Sequence, residues 1–352
     1  LISRMRKIKQ GDIHVASMKY YTVQPGAGID GLTLQTGEIP EPGDGQVLVK
    51  LHAASLNFRD LMVVRGHYPG VAPGALVPLS DGAGEVVRCG AGSTKFKPGD
   101  RVAGIFMQSW LAGPMVDADA ASGLGAGLPG VLAQYRVFDE AGLVPVPAHL
   151  NFAQAATLPC AGVTAWNALF GLSAVQPGQT VLVLGTGGVS IFALQLAHAA
   201  GARVIVTSSS DAKLERARAL GAAAIINYST TPDWAPEVRR LTGGRGVDVV
   251  VETGGAGTLA ASVAATRRNG AVHMIGVLTM GQIDPISILL GGVLVRGVMV
   301  GSRDMFEALN QAVEVAGISP VIDRVFAFDE VKRAYEYLQA AGHMGKVVVT
   351  LD

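Results

Sequence analysis

Two rhythms of apolar and polar positions divide the chain. From Tyr20 to about Val146, short apolar stretches alternate with turn residues. Residues 46–51 read as a strand after the turn Glu41-Pro-Gly-Asp-Gly45, 84–88 as another, and Lys97-Pro-Gly-Asp100 as a turn before Arg101. Residues 107–130 are rich in Gly, Ala and Pro without a period, and are expected to form a long surface excursion. From Asn151 the rhythm changes to amphipathic stretches between apolar runs. Strands are predicted at 180–184, 203–207, 224–227, 247–251 and 271–275, with another near 293–300. Between them, 211–220 has the apolar spacing of a helix and stops at Gly221. That alternation predicts an α/β fold, a doubly wound parallel sheet covered on both faces. The tail is expected to hold a helix at 329–340 and a strand at 346–350. The apolar run 286–295 is too short to cross a bilayer, so no membrane role follows.

A chain of 352 residues is long enough for two domains, each with its own core. Hydrophobic residues make up 49% and charged ones 16%, which suits a compact enzyme and excludes a disordered chain. A formal net charge of zero removes the broad electrostatic footprint that nucleic-acid binding needs. The two cysteines, Cys89 and Cys160, suggest no disulfide framework and suit a reducing cytoplasm. Residues 1–17 carry Arg4, Arg6, Lys7 and Lys9 without the apolar core of a signal peptide. They are read as a disordered leader ahead of a start at Met18.

The strand expected at 180–184 runs into Gly185-Thr186-Gly187-Gly188-Val189-Ser190, and a helix is expected over 191–200. Closely spaced glycines permit a tight turn and let backbone approach a pyrophosphate, whose charge sits at the helix N-terminus. The next strand completes a βαβ unit, which separates this loop from an ordinary turn. Ser190 stands where the fingerprint has a third Gly or Ala, and is small enough for close helix–strand packing. A methyltransferase also uses such a loop, but wants an acidic residue where Ser208 stands and lacks the β-rich first half. A non-catalytic binding role is the other competing class.

The segments Gly84-Glu-Val-Val, Lys97-Pro-Gly-Asp-Arg-Val102 and Ala155-Ala-Thr-Leu-Pro-Cys160-Ala-Gly-Val-Thr164 follow in order. Together with the glycine loop they resemble the medium-chain dehydrogenase/reductase superfamily over nearly all of residues 18–352. The resemblance implies a GroES-like catalytic domain, residues 18–150 and 317–352, around a Rossmann domain at 151–316. The active site is then expected in the cleft between them, with Lys346 returning to it. Zinc members of the family carry Cys, His and Cys ligands at three separated places. Here those places read Asn57, Ser80-Asp81 and Cys160, a poor set for zinc. The pattern is similar to the zinc-free quinone oxidoreductase branch, and to bacterial proteins labelled alcohol dehydrogenase. Without a Lewis acid, a quinone or α,β-unsaturated carbonyl is the better hydride acceptor, because conjugation spreads the developing charge. Reduction or oxidation of simple alcohols, aldehydes and ketones is the alternative. The resemblance also implies a homodimer, formed through the apolar segment 286–300.

Four residues are candidates for the chemistry. Asn57 is expected to donate its amide to the substrate oxygen or to a cofactor hydroxyl, against the alternative of a turn amide. Tyr68 resembles the aromatic residue beside the nicotinamide in quinone reductases. Asp60 and Asp81 are a carboxylate pair suited either to acid–base work or to holding backbone and Arg groups. For the cofactor, about 20 residues beyond the glycine loop lies Ser208, where NAD-binding proteins carry an acid. With Lys213 and Tyr228 it predicts NADPH, while Asp211 is a dissenting charge that keeps NADH open. Thr164, Thr253, Gly276, Val277, Val300, Gly301, Ser302 and Lys346 occupy positions that the resemblance places along the cofactor.

Overall fold

The computed structural model describes residues 17–279 and 281–352; apart from Ser17, the leader expected at 1–17 lies outside the described residues. Strands Thr180–Leu184 and Val247–Glu252 are buried at every position, as strands covered on both faces must be. They form the middle of a six-stranded, all-parallel sheet. Outward on one side come Arg203–Ser208 and Ala224–Asn227; on the other come Thr266–Met274 and Leu294–Gly297. The chain therefore reverses direction of travel beside Thr180–Leu184, the switch point where α/β sheets hold their ligands.

Two strand ends differ from expectation. Thr266–Met274 begins five residues before the predicted 271, its first part carrying Arg267, Arg268 and Asn269 in place of an apolar run. The Arg267 Nε is neutralised by Asp248 at 2.6 Å, which also accepts the Thr180 N–H. Near 293–300, pairing stops at Gly297; Val300 has φ of 43° and gives its carbonyl to the Asn167 amide. The apolar run 286–295 also splits, its first part forming the helix Pro285–Gly291 under an Asp284 cap.

The first half builds a seven-stranded sheet around the long strand Gln46–Leu56. That strand pairs antiparallel with Asp81–Cys89, with Tyr135–Asp139 and with Lys346–Thr350 from the tail. Arg101–Gly104 and Leu143–Pro145 extend one side, and Ile322–Phe326 lies parallel to the tail strand on the other. A 3-10 turn, Phe328–Glu330, precedes the tail helix Val331–Gln339. The expected surface excursion at 107–130 is exposed over much of 111–121, but Met107, Trp110 and Leu124 are buried in the core. Its apolar residues are too widely spaced to show a period. One continuous core joins the two sheets, with Ala53 and Ile105 packed in the same cluster as Val181, Phe192 and Leu309. No helix among the described residues is long and apolar enough to cross a membrane.

His273, on the strand Thr266–Met274, is buried and its Nδ1 has no partner. Burial, and then Arg296, brings its pKa from the ordinary 6.5 down to about 4. The unfolded chain therefore takes up this proton before the folded one does. The stability that the neutral ring represents is complete above pH 6.5 and is lost as pH falls toward 4. In urea titrations across that window, His273→Phe is expected to flatten the acid-side slope. A slope identical to wild type would contradict it.

Candidate functional site

Asn57 stands where the strand Gln46–Leu56 gives way to the helix Phe58–Val64. The Asp60 carboxylate closes the first turn by accepting the Asn57 N–H at 2.7 Å. The Asn57 side-chain oxygen accepts instead from Lys346 Nζ, which also donates to the Leu56 carbonyl at 2.6 Å. An ammonium only donates, so it fixes the sense of the amide: oxygen toward Lys346, nitrogen away. Nδ2 of Asn57 is buried with no acceptor in hydrogen-bond geometry, although it is near enough to Asp81 to favour the charged carboxylate. It is a spare donor held in place.

Asp81 opens the neighbouring strand and accepts from Ser80 Oγ at 2.6 Å and from the Cys160 N–H at 3.0 Å. The second bond ties the first sheet to the π-helical turn Leu158–Gly162, where Thr164 Oγ1 also donates to the Cys160 carbonyl. Burial raises the Asp81 carboxyl, countered by Lys346, the Ser80 hydroxyl and the Asn57 amide. Burial likewise pushes Asp60 up to about 6, with Arg59 and the Asn57 N–H pulling the other way. The Cys160 thiol is driven up, first by burial and then by Asp81, so it is no thiolate at neutral pH. Through their bonds to the Asn57 and Cys160 N–H groups both carboxylates anchor backbone, one of the two roles open to them. Asp60 Oδ2 and both Asp81 oxygens hold N–H or O–H donors, while Asp60 Oδ1 is buried with no hydrogen-bond partner.

The glycine loop faces this group. Gly185 has φ of 72°, a conformation that favours glycine, and Gly188 begins the helix Gly188–Ala199. A Cβ on Gly188 would stand 2.6 Å from Lys346 Cδ and 3.2 Å from Ala161 Cβ. Gly187 has nothing within 4 Å of where its Cβ would be, so its own fold does not demand glycine. That open space, at a helix N-terminus with unpaired N–H groups, fits the close approach of a pyrophosphate. Thr186 accepts the Gly345 N–H at 2.9 Å, and Val189 packs against the core. Ser190 Oγ and Thr253 Oγ1 each donate to the Leu184 carbonyl at 2.7 Å. The Thr253 hydroxyl is thus spent on the strand end.

Ser208 ends the second Rossmann strand, buried, and its carbonyl accepts the Tyr228 N–H at 3.0 Å. Ser210 caps the following helix, whose Lys213 reaches the Ala341 carbonyl at 3.3 Å. Asp211, the dissenting charge, accepts from Asn227 Nδ2 at 2.7 Å. Ser208 and Tyr228 are thus joined at one strand end, while the Lys213 ammonium is turned to the tail of the chain. Gly276 donates its N–H to the Glu252 carbonyl, and Val277 is exposed. Ser302 caps the helix Arg303–Val315, while a Cβ on Gly301 would meet Val163 and Met305. Sequence reading passed over two residues. Glu252, fully buried, accepts the Gly254 and Gly255 N–H groups and the Thr258 and Ser262 hydroxyls, holding the fourth strand's loop. Arg59 is the other; it stood in view between Asn57 and Asp60 but a buried guanidinium leaves no pattern.

A glycine cradle at the switch point of a parallel sheet, closed by a second, β-rich sheet, defines a dinucleotide-dependent oxidoreductase. Comparison with known proteins agrees. Residues 43–148 match the alcohol dehydrogenase GroES-like domain, and residues 188–315 the family described as zinc-binding dehydrogenase. A zinc-type alcohol dehydrogenase-like protein of Schizosaccharomyces pombe is 44% identical over 345 residues, covering 96% of this chain and 100% of that protein. A 2-methylene-furan-3-one reductase of Solanum lycopersicum is 32% identical, over 95% of this chain and 79% of that one. Among solved structures, a protein described as an alcohol dehydrogenase of Sinorhizobium meliloti superposes with a TM-score of 0.89 at 40% identity, covering 95% and 98% of the two chains. The chain belongs to the medium-chain dehydrogenase/reductase superfamily and is an NAD(P)-dependent oxidoreductase.

The zinc named in that family description can be tested against the donors present. The Asn57 oxygen holds an ammonium and both Asp81 oxygens hold donors, which leaves Cys160 as a single soft ligand where zinc favours several. Among the described residues no three His, Cys, Asp or Glu side chains are grouped to hold a metal. This donor set does not fit a zinc ion.

Lys346 is the cation common to these contacts. Lys346→Met is expected to lower stability by about 1–3 kcal/mol, since it leaves the Leu56 and Asn57 oxygens without their donor. Urea denaturation measures this, and a midpoint equal to wild type would mean that the contacts contribute nothing.

Proposed function

We propose that this protein is a zinc-independent, NADPH-dependent oxidoreductase that delivers hydride to a quinone or an α,β-unsaturated carbonyl compound. The observation that carries the reading is the Lys346–Asn57 pair, an ammonium and an amide where a zinc site would need metal ligands. NADPH, when bound, supplies the hydride. The chain's part is to position the acceptor and to stabilise charge on its oxygen. Asn57 Nδ2, its orientation set by Lys346, is one donor for that oxygen. Tyr68, half-buried beside the same helix, brings a second in its hydroxyl. A conjugated acceptor asks no more than this, because its developing charge is already delocalised. The name of the furanone reductase relative supports an enone substrate; the names of the other relatives support the alternative, oxidation or reduction of simple alcohols and carbonyls.

The choice of NADPH rests on Ser208, which adds no negative charge beside a ribose 2′-phosphate, and on Lys213 and Tyr228 close by. A second copy of the chain is the proposed partner. Leu294–Gly297 is an edge strand of its sheet, and Ile286, Leu289, Leu290, Leu294 and Met299 beside it are exposed. The reading places the protein in the cytoplasm, where the free thiols of Cys89 and Cys160 stay reduced.

Three outcomes are expected. Asn57→Ala and Tyr68→Phe should each lower turnover on an enone or quinone by about tenfold to a thousandfold, with NADPH affinity little changed. Unaltered turnover in both would remove those roles. Ser208→Asp should shift preference toward NADH by about tenfold or more, through repulsion of the 2′-phosphate; a wild type that binds NADH tenfold more tightly than NADPH contradicts the assignment. Light scattering at micromolar concentration should give twice the chain mass, and a monomer there contradicts the dimer.

A further inference from the structure

Arg59 is buried, yet only part of its guanidinium is used. Nη1 donates to the Leu124 carbonyl at 2.9 Å and lies 3.7 Å from Asp60 Oδ1. Nε and Nη2 have no acceptor in hydrogen-bond geometry, although the Tyr68 hydroxyl is near enough to favour the charged guanidinium. These two nitrogens share one edge of the planar group, the edge that forms parallel hydrogen bonds to two coplanar oxygens. The guanidinium carbon lies 4.4 Å from the centre of the Tyr68 ring and 4.7 Å from that of Phe106, so aromatic faces fix its plane. A buried cation edge with no acceptor is costly to maintain and is satisfied when a ligand brings one.

Arg59 also sits two residues beyond Asn57, on the same helix turn, with Tyr68 against it. We propose that the Nε–Nη2 edge of Arg59 is a substrate subsite that receives a coplanar pair of oxygen atoms. The substrate is then a conjugated carbonyl compound carrying either a carboxylate or two vicinal oxygens, as an ortho-quinone does. This rests on the reductase reading and narrows it: a plain enone or a para-quinone offers that edge a single oxygen. Tyr68 and Phe106 wall the subsite, and Leu124 and Asp60 hold the other side of the guanidinium still. A vicinal dione gains most, because its oxygens acquire charge against Arg59 as hydride arrives.

The test is binding, which needs no turnover. Benzoate, catechol and phenol are titrated by calorimetry into the cofactor-saturated wild type and into Arg59→Lys, which keeps the charge but loses the fork. Benzoate carries the carboxylate, catechol the vicinal pair, and phenol a single oxygen. Benzoate or catechol should bind wild type about tenfold to a hundredfold more tightly than phenol, and Arg59→Lys should erase that margin. Whichever of the two binds identifies the source of the oxygen pair. Equal affinity for all three in wild type overturns the subsite, and so does an undiminished margin in Arg59→Lys. The wild-type contrast decides alone if the variant fails to fold. A protein that reduces no enone could still show the margin, so failure of the reductase reading is separately visible.

Discussion

Everything at this site hangs on the return of the C-terminal strand. Lys346–Thr350 joins the sheet of the first half beside Gln46–Leu56, while Gly345, one residue earlier, is bonded to the glycine loop of the second half. A single step of backbone thus fixes the cofactor cradle against the strand that carries Asn57. Lys346 is the residue at that junction. Its buried ammonium must find acceptors, and it finds them in the Leu56 carbonyl and the Asn57 amide. The glycine at 188 is the complement of the same event, since the lysine stem passes where a Cβ would be.

That arrangement sets the electrostatics. Two buried carboxylates, Asp60 and Asp81, lie under the influence of two buried cations, Lys346 and Arg59, and each carboxylate also receives backbone N–H groups. The charges are individually expensive and collectively held. What they leave unspent is informative: one amide N–H on Asn57 and one edge of Arg59. Those are buried donors without acceptors, and in the proposed reading a substrate brings the oxygen.

Much of this was legible before any coordinates. The glycine loop and the apolar strands after it are local signals backed by periodicity. The second sheet around them and the return of Lys346 followed only from the resemblance to the medium-chain dehydrogenase/reductase superfamily. The catalytic side was less legible. Asp60 and Asp81 carry the same chemistry whether they move protons or hold backbone, and their bonds to the Asn57 and Cys160 N–H groups leave no trace in the sequence. Thr253 and Ser302 read as lining the cofactor through backbone atoms, and the engagement of their hydroxyls at a strand end and a helix cap was not legible. The burial of Leu124 and Trp110 was hidden because irregular segments bury residues without a period. Arg59 was hidden for the opposite reason, since a charged residue in a helix reads as solvated.

The central claim is that an ammonium-held amide, and not a metal, orients the substrate oxygen. Its most direct measurement is NADPH consumption with quinone and enone acceptors by freshly purified protein, before and after exhaustive chelation, with zinc quantified in both samples. The account predicts far less than one zinc per chain and equal rates in the two samples. One zinc per chain, with the rate lost on its removal and restored by its return, would contradict it.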